Sequence, residues 1–314
     1  MTTNAAAHEQ IGRLVGNVER VIFGKRRQVV LAVIGLLAEG HVLIEDVPGT
    51  GKTTLARALA RSLDLTFRRI QFTSDLLPSD VLGVSVLDAA TGEFVFKRGP
   101  VFADVLLADE LNRTTPRTQS ALLECMSDRR VSVDGKTYEL PRPFLVLATQ
   151  NPLEFEGTYP LPESQLDRFL LRVAMGYPPR EDERRVLRSR TGGEDVDRLE
   201  PVLTREDSLG LIALTRKVRV EPAIEDYVLT ILEHTRRGGR FALGLSTRAG
   251  VGLVRAAQAH ALVAGRDYVL PDDVKQLAVP VLAHRVVPSA VVAEDAAHGE
   301  RLVSDLLDGV AVPV

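Results

Sequence analysis

The chain has 314 residues, 45% of them hydrophobic, with a net charge of −3 and a pI near 6.1. That length suits about two domains, and the charge gives no global field for attracting nucleic acid. A single cysteine, Cys125, excludes an intrachain disulfide, and no Cys/His spacing suggests zinc. Cys125 reads as a small packed apolar residue.

Residues 1–10 are small and polar and lack the apolar centre of a signal peptide. The longest apolar stretch, 29–38, contains Gly35 and falls short of the roughly 20 residues that cross a bilayer. The expectation is a soluble chain of a reducing compartment, the cytoplasm. Residues 41–45 read as a strand that leads into a glycine loop, Asp46-Val47-Pro48-Gly49-Thr50-Gly51-Lys52-Thr53. Residues 54–63 then read as a helix with Leu55, Ala58 and Leu59 on one face. Further short apolar runs lie at 67–72, 105–109, 144–149 and 169–175. Strands alternating with helices predict a parallel sheet covered on both faces.

Two segments interrupt that plan. Residues 84–87 and 94–96 flank a turn-rich stretch ending in Gly92, and 130–133 and 136–140 flank Asp134-Gly135, a strong hairpin signal. A minimal mononucleotide fold needs neither hairpin. After Tyr177-Pro178-Pro179 the patterns are almost all helical. Thr204 with Glu206 and Asp207 predicts a helix start, and Pro222 opens a second helix that Gly238-Gly239 ends. Ser246 and Gly265 bracket a third helix, and Pro271-Asp272-Asp273 opens a fourth with Val274, Leu277, Ala278 and Val281 buried. The predicted organisation is an α/β nucleotide-binding core over residues 1–177 and a helical domain over 178–314.

The glycine loop carries the first chemistry. A loop between a strand and a helix N-terminus offers backbone N–H groups and a helix dipole to an anion. Gly49 and Gly51 let the backbone approach phosphates without a Cβ in the way. Lys52 would reach the β- and γ-phosphates of ATP, and the Thr53 hydroxyl would sit on Mg²⁺. Pro48, Thr50 and Thr54 complete the expected nucleotide-holding set. Asp46 stands where glycine is usual. The run Val105-Leu106-Leu107-Ala108-Asp109-Glu110 is a buried strand ending in two carboxylates. Asp109 would serve the Mg²⁺ shell, and Glu110 would orient and deprotonate the attacking water. A third strand runs into Gln150-Asn151-Pro152, where Asn151 is either a γ-phosphate contact or a turn asparagine before proline.

These residues sit within longer blocks that resemble the MoxR family of AAA+ ATPases, in the clade with an insert in the second helix. The blocks are Gln71-Phe72-Thr73-Ser74-Asp75-Leu76-Leu77-Pro78-Ser79-Asp80, and Gly99-Pro100-Val101-Phe102-Ala103-Asp104 continuing to Leu111-Asn112-Arg113. They go on through Thr118-Gln119-Ser120-Ala121-Leu122-Leu123-Glu124 and Glu156-Gly157-Thr158-Tyr159-Pro160-Leu161-Pro162-Glu163. The match is dense over about 20–180. The resemblance implies an AAA+ core with a five-stranded parallel sheet, an all-helical C-terminal lid, and a homo-hexameric ring with ATP at subunit interfaces. It makes Asn151 the sensor-1 residue, and Arg168 an arginine finger entering the neighbouring subunit's site. It makes Arg248 the sensor-2 arginine of the lid, although Thr247 stands where proline is frequent. Ile22, Phe23 and Gly24 match the stretch that meets the adenine, and the two hairpins match the helix-2 and pre-sensor-1 inserts. Whether Arg113 also acts across the interface is left open by the pattern.

The function so implied is ATP-driven remodelling, maturation or activation of a protein client. Such clients can carry a von Willebrand factor A domain or a metal centre. Two other classes compete with it, a nucleic-acid motor and a low-turnover ATP-dependent scaffold. Against the motor, the chain has no helix-turn-helix, zinc module or aromatic-interleaved basic stripe, so no nucleic acid is expected. Lys97-Arg98 and Arg129-Arg130 read as solvated hairpin edges.

Overall fold

The computed structural model describes residues 4–151, 157–188, 194–237, 239–289 and 298–313. Pro152, Glu156 and Gly238, each named above, lie outside the described residues. The chain opens with helices α1 (Asn4–Glu19) and α2 (Arg26–Leu37), then strand β1 (Val42–Glu45), α3 (Lys52–Ser62) and β2 (Phe67–Gln71). A short α4 (Pro78–Leu82) precedes the hairpin β3 (Gly83–Leu87) and β4 (Phe94–Arg98), followed by β5 (Val105–Asp109) and α5 (Pro116–Asp128). A second hairpin, β6 (Arg130–Val133) and β7 (Lys136–Glu139), leads to β8 (Leu145–Gln150), α6 (Glu163–Leu166) and β9 (Leu171–Val173).

The second part holds α7 (Arg180–Arg188), α8 (Glu194–Asp197), α9 (Arg205–Thr215), α10 (Pro222–Arg236), β10 (Phe241–Leu243), α11 (Thr247–Val263), α12 (Pro271–Leu282), β11 (Val287–Pro288) and α13 (His298–Gly309). The lid is helical as the sequence predicts, with one addition. Strands β10 and β11 pair antiparallel, a two-stranded ribbon too short for periodicity to reveal. The expected boundary at residue 177 falls in the extended segment 174–179 between β9 and α7.

Among the described residues the central sheet has five parallel strands in the order β2-β5-β8-β1-β9. Alternation along each strand builds two cores, because successive side chains point to opposite faces. Val105 and Leu107 of β5, with Val42 and Ile44 of β1, join the larger cluster beneath α1, α2 and α3. Leu106 and Ala108, with Leu43, Val146 and Phe169, join the smaller cluster beneath α5. Burial on both faces leaves β5 apolar to its last residue before Asp109.

The larger cluster does not stop at the core. Helix α1 packs on α2, α3 and the lid helix α11, and α2 touches α9 and α11. In α1 the buried set Ala7, Ile11, Leu14, Val15 and Val18 forms one stripe at helical spacing. The lid is therefore seated on the N-terminal helices and on β9, which α12 contacts. Cys125 lies buried in the smaller cluster, where desolvation pushes its thiol up to about 12.

Two buried histidines tie these layers together. His41, before β1, accepts from the Val146 amide at 3.0 Å and donates to the Met126 carbonyl at 3.0 Å. His284, after α12, donates to the Phe169 carbonyl at 3.0 Å. Desolvation leads in lowering both, His41 to about 4 and His284 to about 3, with the Arg285 charge adding to the effect on His284. Both groups are neutral when folded and titrate near 6.5 when unfolded, so the unfolded chain binds more protons below that pH. Their stability contribution is complete above pH 6.5 and is lost as pH falls, by up to about 1.4 kcal/mol per pH unit for each histidine. The urea midpoint should fall steadily between pH 6.5 and about 5, above the range of ordinary carboxylates. A flat profile over that window would show that these histidines accept protons in place.

Candidate nucleotide-hydrolysis site

The glycine loop leaves β1 at the C-terminal edge of the sheet and enters α3 through Gly51. Gly49 and Gly51 have φ of +83° and +93°, values that any side chain would strain. Lys52 folds back onto the loop, donating to the carbonyls of Asp46 at 2.8 Å and Val47 at 3.3 Å. The Thr50 hydroxyl turns inward to the Val47 carbonyl, and Thr50 does not line the cleft. Asp46, the departure from the usual glycine, has a structural task. One carboxylate oxygen accepts from its neighbour Val47, and the other accepts from the Gly176 amide at 2.5 Å, pinning the loop to the start of the interdomain segment.

The carboxylates close the cleft from the end of β5, with β8 between it and β1. The cleft has a volume of about 370 Å³ and is lined by Pro48, Gly49, Gly51, Lys52, Thr53 and Thr54, with Arg69, Asp109, Glu110, Thr149 and Asn151 opposite. The loop residues other than Thr50 thus come together with the acidic end of β5 and with Asn151 beyond β8. Glu110 has φ +57°, a left-handed conformation that is uncommon outside glycine, immediately after the buried strand β5. Such outliers persist where the surroundings over-determine them. The surroundings here are the Thr149 hydroxyl, which accepts from the Glu110 amide at 2.9 Å and donates to Asp109 at 2.6 Å.

Besides Arg113, whose role the sequence left open, three residues of this network were missed as site residues by reasoning from sequence. Thr149 is one. Arg69 reaches Asp109 through Nη2 at 2.6 Å and Nε at 3.1 Å. Gln71 donates to Glu110 at 2.7 Å, and Arg113 lies 3.1 Å from the same carboxylate. The last contact places Arg113 at its own chain's acid. Strand periodicity did carry a signal for Arg69 and Gln71: polar residues at alternate positions of β2 mark one face, beside the strand that ends in Asp109.

A magnesium ion fits the donors present. The Thr53 hydroxyl and the Asp109 carboxylate are hard oxygen ligands on one cleft, and magnesium is usually held by one or two carboxylates with the rest from phosphate and water. Arg69 holds the same carboxylate and would have to share or yield it.

The adenine-side residues lie beyond the loop, outside the cleft itself. Ile22 approaches Gly51, with its Cδ1 3.7 Å from where a Cβ would stand. The Phe23 ring lies under Arg185 of α7 at 4.3 Å. Gly24, with φ +68°, passes so close to Asp182 and Pro179 that a Cβ there would clash at 2.4 Å. The buried Lys25 amine next to it donates to the carbonyls of Met175 at 3.0 Å and Gly176. Its pKa is lowered by burial, against the pull of Asp46.

Arg168 and Arg248 are not part of this cleft. Arg168 precedes β9, and His41 precedes the parallel β1, so both stand at the N-terminal edge of the sheet. The glycine loop follows the other end of β1, roughly 15 Å away at strand rise. Arg248, expected among the nucleotide-holding residues, lies beside Arg168 in a second cavity of about 170 Å³. There, among the described residues, five arginines (Arg129, Arg168, Arg248, Arg255 and Arg285) face the carboxylates Glu39 and Asp167. Arg168 donates to the Leu123 carbonyl at 2.7 Å and the Ser127 hydroxyl at 3.1 Å, partners that carry no charge. The cavity thus holds more guanidinium groups than carboxylates.

Comparison with known proteins agrees with this architecture. Residues 41–171 match the ATPase family associated with various cellular activities (AAA), and residues 233–306 match the AAA lid domain. The chain is 48% identical to the Bacillus subtilis protein YeaC over 98% of its own length and 96% of the relative's. It is 41% identical to the chaperone MoxR1 of Mycobacterium tuberculosis, over 98% of this chain and 84% of that one. A crystal structure from Cytophaga hutchinsonii superposes with a TM-score of 0.89 at 36% identity, covering 99% and 97% of the two chains. Among the described residues no helix is long and apolar enough to cross a membrane. The chain belongs to the MoxR family and is an ATPase of the AAA+ type.

Proposed function

We propose that the chain hydrolyses Mg²⁺-ATP in a site divided between two copies, and that turnover drives the remodelling of a protein partner. The observation that carries this reading is the separation within one chain. Loop and carboxylates lie at one edge of the sheet, and Arg168 with Arg248 lies at the other. Neither arginine reaches its own chain's phosphates, so each serves a neighbour, and repetition of that head-to-tail contact closes a ring. Six copies are the expected number.

In this scheme Lys52 and the loop amides hold the phosphates, with Ile22, Phe23 and Gly24 on the adenine side. Thr53 and Asp109 hold magnesium, whose charge offsets that of the phosphates. Glu110 positions and deprotonates water, Asn151 touches the γ-phosphate side, and Arg168 and Arg248 supply charge from the next copy.

The partner would meet the hairpins. On β3–β4, Phe94 is 71% exposed and Leu87 55%, beside Val84 and Val95. Phe96 of that hairpin stacks on Tyr138 of the second at 4.3 Å, so the two move as one unit. Apolar tips of this kind suit a protein surface rather than phosphate, and the chaperone name of the mycobacterial relative points the same way. A client with a von Willebrand factor A domain is the class proposed.

Specific activity should rise with protein concentration, because a lone chain holds half a site. A turnover per chain that stays constant from nanomolar to micromolar protein would rule out the divided site.

A further inference from the structure

The residues on both sides of Arg168 are held by the far end of the chain. The Asp167 carboxylate meets Arg285 Nε at 3.5 Å and Arg248 Nε at 3.9 Å. The Phe169 carbonyl accepts from Arg285 Nη2 at 2.7 Å and from His284 Nε2 at 3.0 Å. The Phe169 ring is itself fully buried. His284 and Arg285 follow α12, the lid helix that packs on β9.

Arg285 is 7% exposed although charged. Burial lowers its pKa to about 10, against the pull of Asp167, so it stays protonated near neutrality. A buried guanidinium is a costly way to fill space that an apolar side chain of similar size could occupy. The fold nevertheless makes room for it. A Cβ at Gly252 of α11 would come within 3.2 Å of Arg285 Nη1, and Arg285 lines the same cavity as Arg168. Holding a carboxylate and a carbonyl on either side of one residue needs donors at fixed angles, which a guanidinium has and an ammonium lacks.

We infer that Arg285 is a positioning residue for Arg168, clamping the segment from Asp167 to Phe169 to the lid so that lid movement carries the arginine offered to the next copy. This rests on the reading of Arg168 as acting in a neighbouring site. Among the described residues Arg168 itself is held by neutral partners, so it can exchange them for phosphate while the clamp fixes its backbone.

The test compares Arg285→Met, Asp167→Asn and Arg168→Ala, each alone and mixed with Glu110→Gln chains. Those chains turn over about 10²- to 10⁴-fold more slowly but keep an intact Arg168 and lid. Arg285→Met and Asp167→Asn should keep KM for ATP within about twofold and lose kcat by about 10- to 100-fold, the cost of misplacing a group by an ångström. Mixing should restore turnover to both, as it does to Arg168→Ala. Asp167 is partly exposed, so Asp167→Asn decides the matter should Arg285→Met not fold. Full activity of the clamp variants, or a loss that mixing does not restore, overturns the positioning role even where Arg168→Ala is rescued. An Arg168→Ala chain that stays active, or is not rescued, instead removes the shared site on which the inference rests.

Discussion

Arg168→Ala should bind ATP as the parent chain does and hydrolyse it roughly 10³-fold more slowly in the assembled state. The magnitude follows from the kind of transition state. Phosphoryl transfer leaves little covalent chemistry to the protein, so charge placed on the γ-phosphate oxygens at the right moment is a large part of the rate. The ground state loses little, because Arg168 is bonded to the Leu123 carbonyl and Ser127 hydroxyl before any neighbour arrives. Steady-state turnover and equilibrium binding of a fluorescent ATP analogue separate the two effects. Equal loss of binding and turnover would place Arg168 in a structural contact instead.

Glu110→Gln should cost turnover about 10²- to 10⁴-fold, the usual range for a general base, while retaining nucleotide. Glutamine has the same shape and still accepts from Gln71, which lies 2.7 Å from the present carboxylate. The pairing with Arg113 weakens, but it is a partly exposed contact and contributes little to stability. What disappears is the group that accepts a proton from water. The substituted chain should therefore accumulate as an ATP-bound assembly, and a protein client should co-purify with it in an ATP-dependent manner. Turnover above about a tenth of the parent would mean that another group activates the water.

The two variants fail in different places, although they disable one reaction. In the proposed divided site Glu110 belongs to the chain that holds the ATP, and Arg168 to its neighbour. Mixing the two should recover activity at those interfaces where an intact loop and carboxylates meet an intact Arg168. Two defects within one half of the site would give no such recovery.

Much of the first half-site was legible in the sequence because its chemistry is local. The loop needs glycines where φ is positive, a lysine and a threonine at fixed offsets, and a helix directly behind; eight consecutive residues, 46–53, carry all of that. The apolar run ending in Asp109-Glu110 is likewise written in adjacent positions. The parallel sheet followed from strand–helix alternation, and Asp134-Gly135 announced its hairpin with φ of +51° and +74°. Thr149 and Gln71 were harder to assign, because each acts through a partner on the neighbouring strand. The ribbon β10–β11 joins segments more than 40 residues apart that nothing local links.

Tertiary structure alone decided where the arginines stand. Sequence and family resemblance could name Arg168 and Arg248 as residues that meet phosphate, but an arginine has no local signature of its target. Parallel strands send the glycine loop to one edge of the sheet and Arg168 to the other, and the seating of α11 on α1 and α2 brings Arg248 there as well. The physical reason is reach. A side chain spans a few ångströms and a strand separates the two ends by roughly 15 Å, so only the completed sheet and lid show that Arg168 and Arg248 stand apart from their own chain's glycine loop.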